Sequence, residues 1–284
     1  MGHVVVAVLL MAVTPLGAQS ASCPNAVLNA GGTPTRGALS DVVLWADFAT
    51  WSRRIPRLPP DASYDLSQCY VRRLRLAGID SADAARRLAR LTDLRTRSVD
   101  HERVYWDTRF RLGGGPRDPL PLLVDAVAAL RPGRALDAGM GLGRNALYLA
   151  ARGWQVTGYD FSREAIAGAK VAARQKGVPL NAVVSSHEQF DFGDEQWDLI
   201  VSSYASIGAL DANWPVRLAS ALKPGGILIL QEPAPLGTTV AQVRAHWSRL
   251  RMLRLDVLPV GEDWLAGGEQ PTVKLVAQKP PAKR

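Results

Sequence analysis

Two cysteines in 284 residues, Cys23 and Cys69, leave little room for sulfur chemistry. Neither lies in a Cys-x-x-Cys or zinc-finger spacing, so the pattern excludes a structural zinc and a thioredoxin-type dithiol, and no metal is expected. The pair forms one disulfide if the chain is exported, or stays as inert thiols if it is cytosolic. Apolar runs are short too. The longest, Val4 to Val13, has ten residues, about half the length of a membrane span. It leads into Pro15, Gly17 and the small-residue site Ala18-Gln19-Ser20. That order reads as a secretory signal peptide over residues 1–20, and so as a secreted or periplasmic protein with no transmembrane span after leader removal. The leader lacks Lys and Arg before its apolar run; a misplaced start would leave the chain cytoplasmic. Ser20 stands where a lipoprotein cleavage box has an apolar residue, which argues against acylation of Cys23.

Blocks of one charge are also missing. The formal charge is +8, and between Arg36 and Asp118 there are 16 arginines against 11 acids. No Lys/Arg cluster interleaved with aromatics accompanies them, so the excess reads as solvated helical faces and argues against a nucleic-acid partner.

What the chain does have is an apolar strand that ends in an acid and a glycine-spaced loop: Ala135-Leu136-Asp137-Ala138-Gly139-Met140-Gly141-Leu142-Gly143-Arg144-Asn145. A second apolar strand, Trp154 to Tyr159, ends at Asp160. Bare backbone beside a carboxylate one strand over suits a nucleoside-containing ligand. The dinucleotide fingerprint puts its third glycine where this chain has Arg144. Asp137, two residues before the first glycine, would repel a pyrophosphate and would suit a cationic group. A nicotinamide-dependent oxidoreductase is therefore the weaker alternative.

Asp-x-Gly-x-Gly-x-Gly followed by an acid closing the next strand resembles motifs I and II of class I S-adenosylmethionine-dependent methyltransferases. The longer string from Gly139 to Ala150, with Gly153-Trp154 and Thr157 to Ser162, is similar to the branch that holds tellurite-resistance and small-molecule methyltransferases. The resemblance runs from about Asp118 to Lys279. It implies an α/β Rossmann-like, doubly wound, seven-stranded sheet whose last strand is antiparallel. It also implies S-adenosyl-L-methionine as cofactor and a small-molecule methyl acceptor. A second reading is a catalytically degenerate binding module in the periplasm, since that cofactor is made in the cytosol.

Along the chain, residues 21–38 read as a linker rich in Asn, Ala, Gly, Thr and Pro. Residues 39–117 read as a helical N-terminal extension and 118–284 as the methyltransferase domain. Helices are expected from Leu39 to Trp51, Leu66 to Ala77 and Ser81 to Arg97, the last capped by Ser81 with Arg86, Arg87, Arg90 and Arg95 largely off its apolar side. Tyr105, Trp106 and Phe110, before Gly113-Gly114-Gly115, either cover the ligand or tie the extension to the core. From Asp118 strands and helices alternate. Strand five is expected at Ile227 to Gln231 after the turn Lys223-Pro224-Gly225-Gly226, and a final hairpin at Leu253 to Leu258 and Thr272 to Gln278.

The resemblance implies a cofactor site of Asp137, Gly139, Met140, Gly141, Gly143, Asn145, Asp160, Phe161, Ser186, His187 and Ser202. Asp160 would accept both ribose hydroxyls. Phe161 would pack on the adenine edge. Asp137 would sit behind the loop near the ammonium. Ser186 replaces the acid the family places near the adenine amino group, with Glu188 two residues on. After strand four the chain reads Ser203-Tyr204-Ala205-Ser206, without the two prolines of enzymes that methylate exocyclic base amines. His187, Tyr204 and Glu232 lie near strand ends and are candidate general bases.

Overall fold

The structure is a computed structural model and describes residues 23–56, 64–205, 213–260 and 271–281. The expected leader, residues 1–20, lies outside them. The chain divides into two compact units, Met1–Gly115 and Pro116–Arg284.

The described part of the first unit holds five helices: α1 (Asn25–Leu28), α2 (Asp41–Arg54), α3 (Leu66–Leu76), α4 (Ser81–Thr96) and α5 (Val99–Arg111). Ser40, Asp65 and Asp80 cap α2, α3 and α4 through side-chain oxygens that accept from Val43, Gln68 and Asp83 N–H. The cap of α4 is thus Asp80, one residue before Ser81. Leu44, Phe48 and Trp51 form the buried stripe of α2 and meet Cys69, Tyr70 and Leu74 of α3.

Residues 23–38 are not a slack linker. Val27, Leu28 and Ala30 are buried in the same core. Backbone carbonyls that far from any ladder need donors, and arginines supply them. Arg73 donates to the Gly32 carbonyl at 3.1 Å and Arg87 to those of Thr35 and Gly37 at 2.6 and 2.8 Å. Arg90 donates to the Leu39 carbonyl at 2.9 Å. Arg73 and Arg87 are consequently buried, and Arg95 is buried against Glu102 and the Tyr105 ring, which corrects the placement of Arg87 and Arg95 off the packed side. Part of the basic excess is spent inside the fold.

Cys23 and Cys69 form a disulfide, with Cα atoms 5.6 Å apart. A cysteine in a disulfide cannot also carry a thioether-linked lipid.

The second unit alternates strand and helix: α6 (Pro121–Val127), β1 (Arg134–Ala138), α7 (Arg144–Ala150), β2 (Gln155–Asp160), α8 (Arg163–Lys176), β3 (Asn181–Val184), β4 (Trp197–Ser203), α9 (Trp214–Ala221), β5 (Leu222–Pro233), α10 (Val240–His246), β6 (Arg251–Leu258) and β7 (Thr272–Gln278). The seven strands lie in the order β3-β2-β1-β4-β5-β7-β6. The first five are parallel and β7 is antiparallel to both neighbours.

Two cores cover the sheet. Leu136, Ile200, Leu228 and Leu275 pack with Trp214, Leu218 and Val243 of α9 and α10. Ala135, Val156, Leu199 and Ile229 pack with residues of α6, α7 and α8. Ala135 and Leu136 go to opposite cores, as strand alternation requires, and the same alternation turns Asp137 toward α7. β5 starts at Leu222, five residues earlier than expected, because Leu222 already pairs with Trp197 across an irregular register.

Candidate functional site

The register brings four strand ends level. Ala138 faces Tyr159 on one side and Ser202 on the other, and Asp160 faces Val184. Ligands of open parallel sheets bind outside these carboxyl ends, where strand order reverses. In this sheet the reversal falls between β1 and β4.

The loop between β1 and α7 occupies that crevice. Gly143, at φ +83°, is the left-handed N-cap of α7, a conformation only glycine takes without strain. Asp137 is buried, and its Oδ2 accepts from the Ala146 amide at 2.9 Å, inside the first turn of α7. A carboxylate there satisfies an otherwise orphan amide and favours the helix dipole. Asp160 clasps the same loop from β2. Its Oδ2 accepts from Gly141 N–H and its Oδ1 from Ser162 N–H, both at 2.9 Å. Ser162 in turn caps α8. One buried carboxylate therefore fixes both the glycine loop and the start of the next helix.

Burial drives the Asp137 carboxyl up to about 7, against the Ala146 hydrogen bond and Arg144, which favour its ionised form, while Asp160 pushes the same way as burial. Between about pH 4 and this value the folded chain binds more protons than the unfolded one. Stability therefore falls as pH rises through that window and levels off above it. Asp137→Asn is expected to remove this slope. In urea unfolding at about pH 5 and about pH 8, the variant should gain on the parent more at the higher pH. An equal difference at both would show that Asp137 is ionised throughout.

His187 has both ring nitrogens engaged. Nε2 lies 2.6 Å from the Ala205 carbonyl, which only accepts, so Nε2 carries the proton. Nδ1 then accepts from the Tyr159 hydroxyl at 2.7 Å. Burial holds that phenol protonated and lowers the imidazole's own affinity for a proton. A ring with neither nitrogen available is no general base, which corrects that candidacy for His187. Glu232 is buried at the end of β5, where Oε1 accepts from Ser202 Oγ at 2.8 Å and Ala205 N–H at 2.9 Å. Tyr204 accepts from Gln231 Nε2 at 2.6 Å. The Ser186 hydroxyl bonds Glu188 and, as the largest cause, pulls that carboxyl down.

Three expected ligand contacts have side chains occupied elsewhere. Met140 is core: its sulfur lies 2.1 Å from where a Cβ on Gly158 would be, so those two residues fill one space. Asn145 accepts from Leu120 N–H at 2.9 Å and donates to Ser203 Oγ at 3.2 Å, latching α7 to the chain before α6 and to β4. Ser202, fully buried, donates to Glu232. Asp137, the glycine loop, Asp160 and His187 do converge. Phe161 and Ser186 follow the ends of β2 and β3. Two residues were missed. Ala205 stands over Gly139, its Cβ 2.5 Å from where a Cβ on that glycine would be. Ser203 receives both Asn145 and Arg144, at 3.2 and 3.3 Å. The only sequence signal for either was position at the mouth of β4. Among the described residues no group of three or more His, Cys, Asp or Glu is placed to hold a metal ion.

The glycine loop and Asp160 offer features that suit an adenosine-linked sulfonium: bare backbone, and a carboxylate at the end of the neighbouring strand. Residues 135–226 match the methyltransferase domain family. The chain is 33% identical over 114 residues to a ubiquinone biosynthesis O-methyltransferase of Paramagnetospirillum magneticum, covering 40% of this chain and 43% of that protein. It is 31% identical over 81 residues to the probable S-adenosyl-L-methionine-dependent methyltransferase TehB of Haemophilus influenzae, 28% of each. The chain thus spans less than half the length of these two relatives. A solved S-adenosylmethionine-dependent methyltransferase from Methanosarcina mazei shares 21% identity over 58% of this chain and 99% of its own, with a TM-score of 0.46.

Proposed function

We propose that this chain, whose residues 135–226 match the methyltransferase domain family, binds S-adenosylmethionine at the ends of β1 and β2 and transfers its methyl group to a small-molecule acceptor. The observation that carries the reading is Asp160, a buried carboxylate that grips the Gly141 amide at 2.9 Å. It sits at the end of the strand next to a loop preceded by a second buried acid. In the proposed site Asp160 takes the ribose hydroxyls, Asp137 stabilises the ammonium end, and Phe161 with the Ser186–Glu188 pair lines the adenine side. The cofactor supplies an activated methyl carbon that a nucleophile displaces in line, so alignment supplies much of the rate. The protein's part is placement. The absence of the Pro-Pro element after β4 favours an acceptor other than an exocyclic base amine.

We place the protein in an oxidising compartment. The leader expected from the sequence of residues 1–20 motivates this, and the Cys23–Cys69 bond supports it.

Calorimetry of the folded chain with S-adenosylmethionine and S-adenosylhomocysteine tests the cofactor. Saturable one-to-one binding of both is expected. A folded protein that binds neither would sink the methyltransferase reading.

A further inference from the structure

The turn that leaves β4 is held more firmly than a loop requires. Tyr204 has φ +53°, a left-handed backbone that a non-glycine residue adopts only at a cost in energy. Four hydrogen bonds fix it. Tyr204 N–H donates to the Gln231 carbonyl at 2.9 Å, and its phenol accepts from Gln231 Nε2 at 2.6 Å. The Ala205 N–H donates to Glu232 Oε1 at 2.9 Å, and its carbonyl accepts from His187 Nε2 at 2.6 Å. Strain of this kind persists where the surroundings over-determine it, and it clusters at ligand sites.

The turn is also aimed. Ala205 Cβ stands 2.5 Å from where a Cβ on Gly139 would be, and His187 Cε1 stands 3.5 Å from the same point. His187 cannot rotate away without losing Tyr159, its partner on β2. Trp214 packs edge-on against its ring at 5.4 Å. The imidazole therefore joins β2, which carries the ribose acid, to the mouth of β4.

Resting on the methyltransferase reading, we propose that His187 is a positioning residue: by holding the Ala205 carbonyl it sets the strained Tyr204–Ala205 turn over Gly139. The wall of the cofactor site and the mouth of β4 are thereby one hydrogen-bonded unit. His187 then acts through Ala205 and touches neither reacting atom.

The test uses the full chain with His187→Phe, which keeps a ring and removes both nitrogens. His187→Gln is the companion, since its amide can still donate to the Ala205 carbonyl. Loss of one such bond is worth about 10-fold. In the Phe variant, hydrogen exchange of the Ala205 amide should quicken about 10-fold and S-adenosylhomocysteine affinity should fall about 10-fold. Exchange across β1 should not change. The Gln variant should recover most of both effects. Unchanged exchange at Ala205 in the Phe variant would overturn the proposal, as would Phe and Gln variants that behave alike. If the Phe variant fails to fold, the imidazole nitrogen spectrum of the parent decides: a proton on Nδ1 and none on Nε2 contradicts the latch. A parent chain that binds no S-adenosylhomocysteine would remove the proposed function, while the exchange contrast still judges the latch.

Discussion

Asp160→Ala is expected to abolish measurable binding of S-adenosylmethionine. Two losses combine. The ribose loses a charged acceptor for its two hydroxyls, and hydrogen bonds to charged groups are worth about 1.5–3 kcal/mol each, so affinity should fall by roughly two to four orders of magnitude. The Gly141 and Ser162 amides also lose their shared acceptor. Each buried donor left unpaired costs about 1–3 kcal/mol, and the glycine loop that would receive the ligand loosens. Asp160→Asn separates the two contributions. An amide oxygen can still serve one of the two backbone donors, so this variant should melt closer to the parent and bind far more weakly than the parent. Calorimetry with S-adenosylhomocysteine and a thermal melt of each variant are the measurements. Parental affinity in Asp160→Ala would show that the ribose lies elsewhere.

That prediction was available from the sequence because its causes are local. Ala135 to Ala138, the alternating glycines and Asp160 each announce themselves within a strand length, and strand alternation then fixes which way Asp137 points. Lys223-Pro224-Gly225-Gly226 marked the approach to β5, though not its start, since the Leu222–Trp197 pairing is non-local. The residues whose side chains are engaged in ways the sequence does not announce share the opposite property. Asn145 looks like a loop residue beside a ligand, but its partners Leu120 and Ser203 are 25 and 58 positions away. Met140 sits between two glycines and yet fills a gap that exists only because residue 158, one strand over, is also glycine. Residues 23–38 have a linker's composition, and the arginines that fix their carbonyls come from α3 and α4, 41 to 52 positions on. Periodicity cannot report a bond from an arginine to a distant backbone oxygen. Nor could it report that both nitrogens of His187 are spent, which depends on Tyr159 and Ala205 arriving from different strands.

Removing the disulfide is expected to destabilise the helical unit by about 4 kcal/mol, the loop-closure estimate for a cross-link between residues 46 positions apart. A small helical unit has stability of only about 5–15 kcal/mol to lose, so Cys69→Ala should shift its unfolding to much lower denaturant. The bond matters here for a specific reason. Cys23 lies just before α1, which contributes only Val27 and Leu28 to the core. One hydrogen bond from Trp51 Nε1 to the Val27 carbonyl, at 2.8 Å, is the other tie on that helix. Without the covalent link those contacts must offset the ordering entropy of the whole segment, about 1–2 kcal/mol per residue. The arginine clamps on Gly32, Thr35 and Gly37 lie farther along the chain and should outlast it. Amide exchange in the variant should therefore quicken first at residues 25–30 and least at the amides of α4. The second unit carries no cysteine and should unfold as before. Thiol labelling of the chain taken directly from cell fractions then addresses the compartment. A chain that resists alkylation until reduced, recovered from an oxidising fraction, supports export. A chain found only in the cytosol with both thiols alkylated would overturn export, while the stability difference between oxidised and reduced protein would remain as predicted.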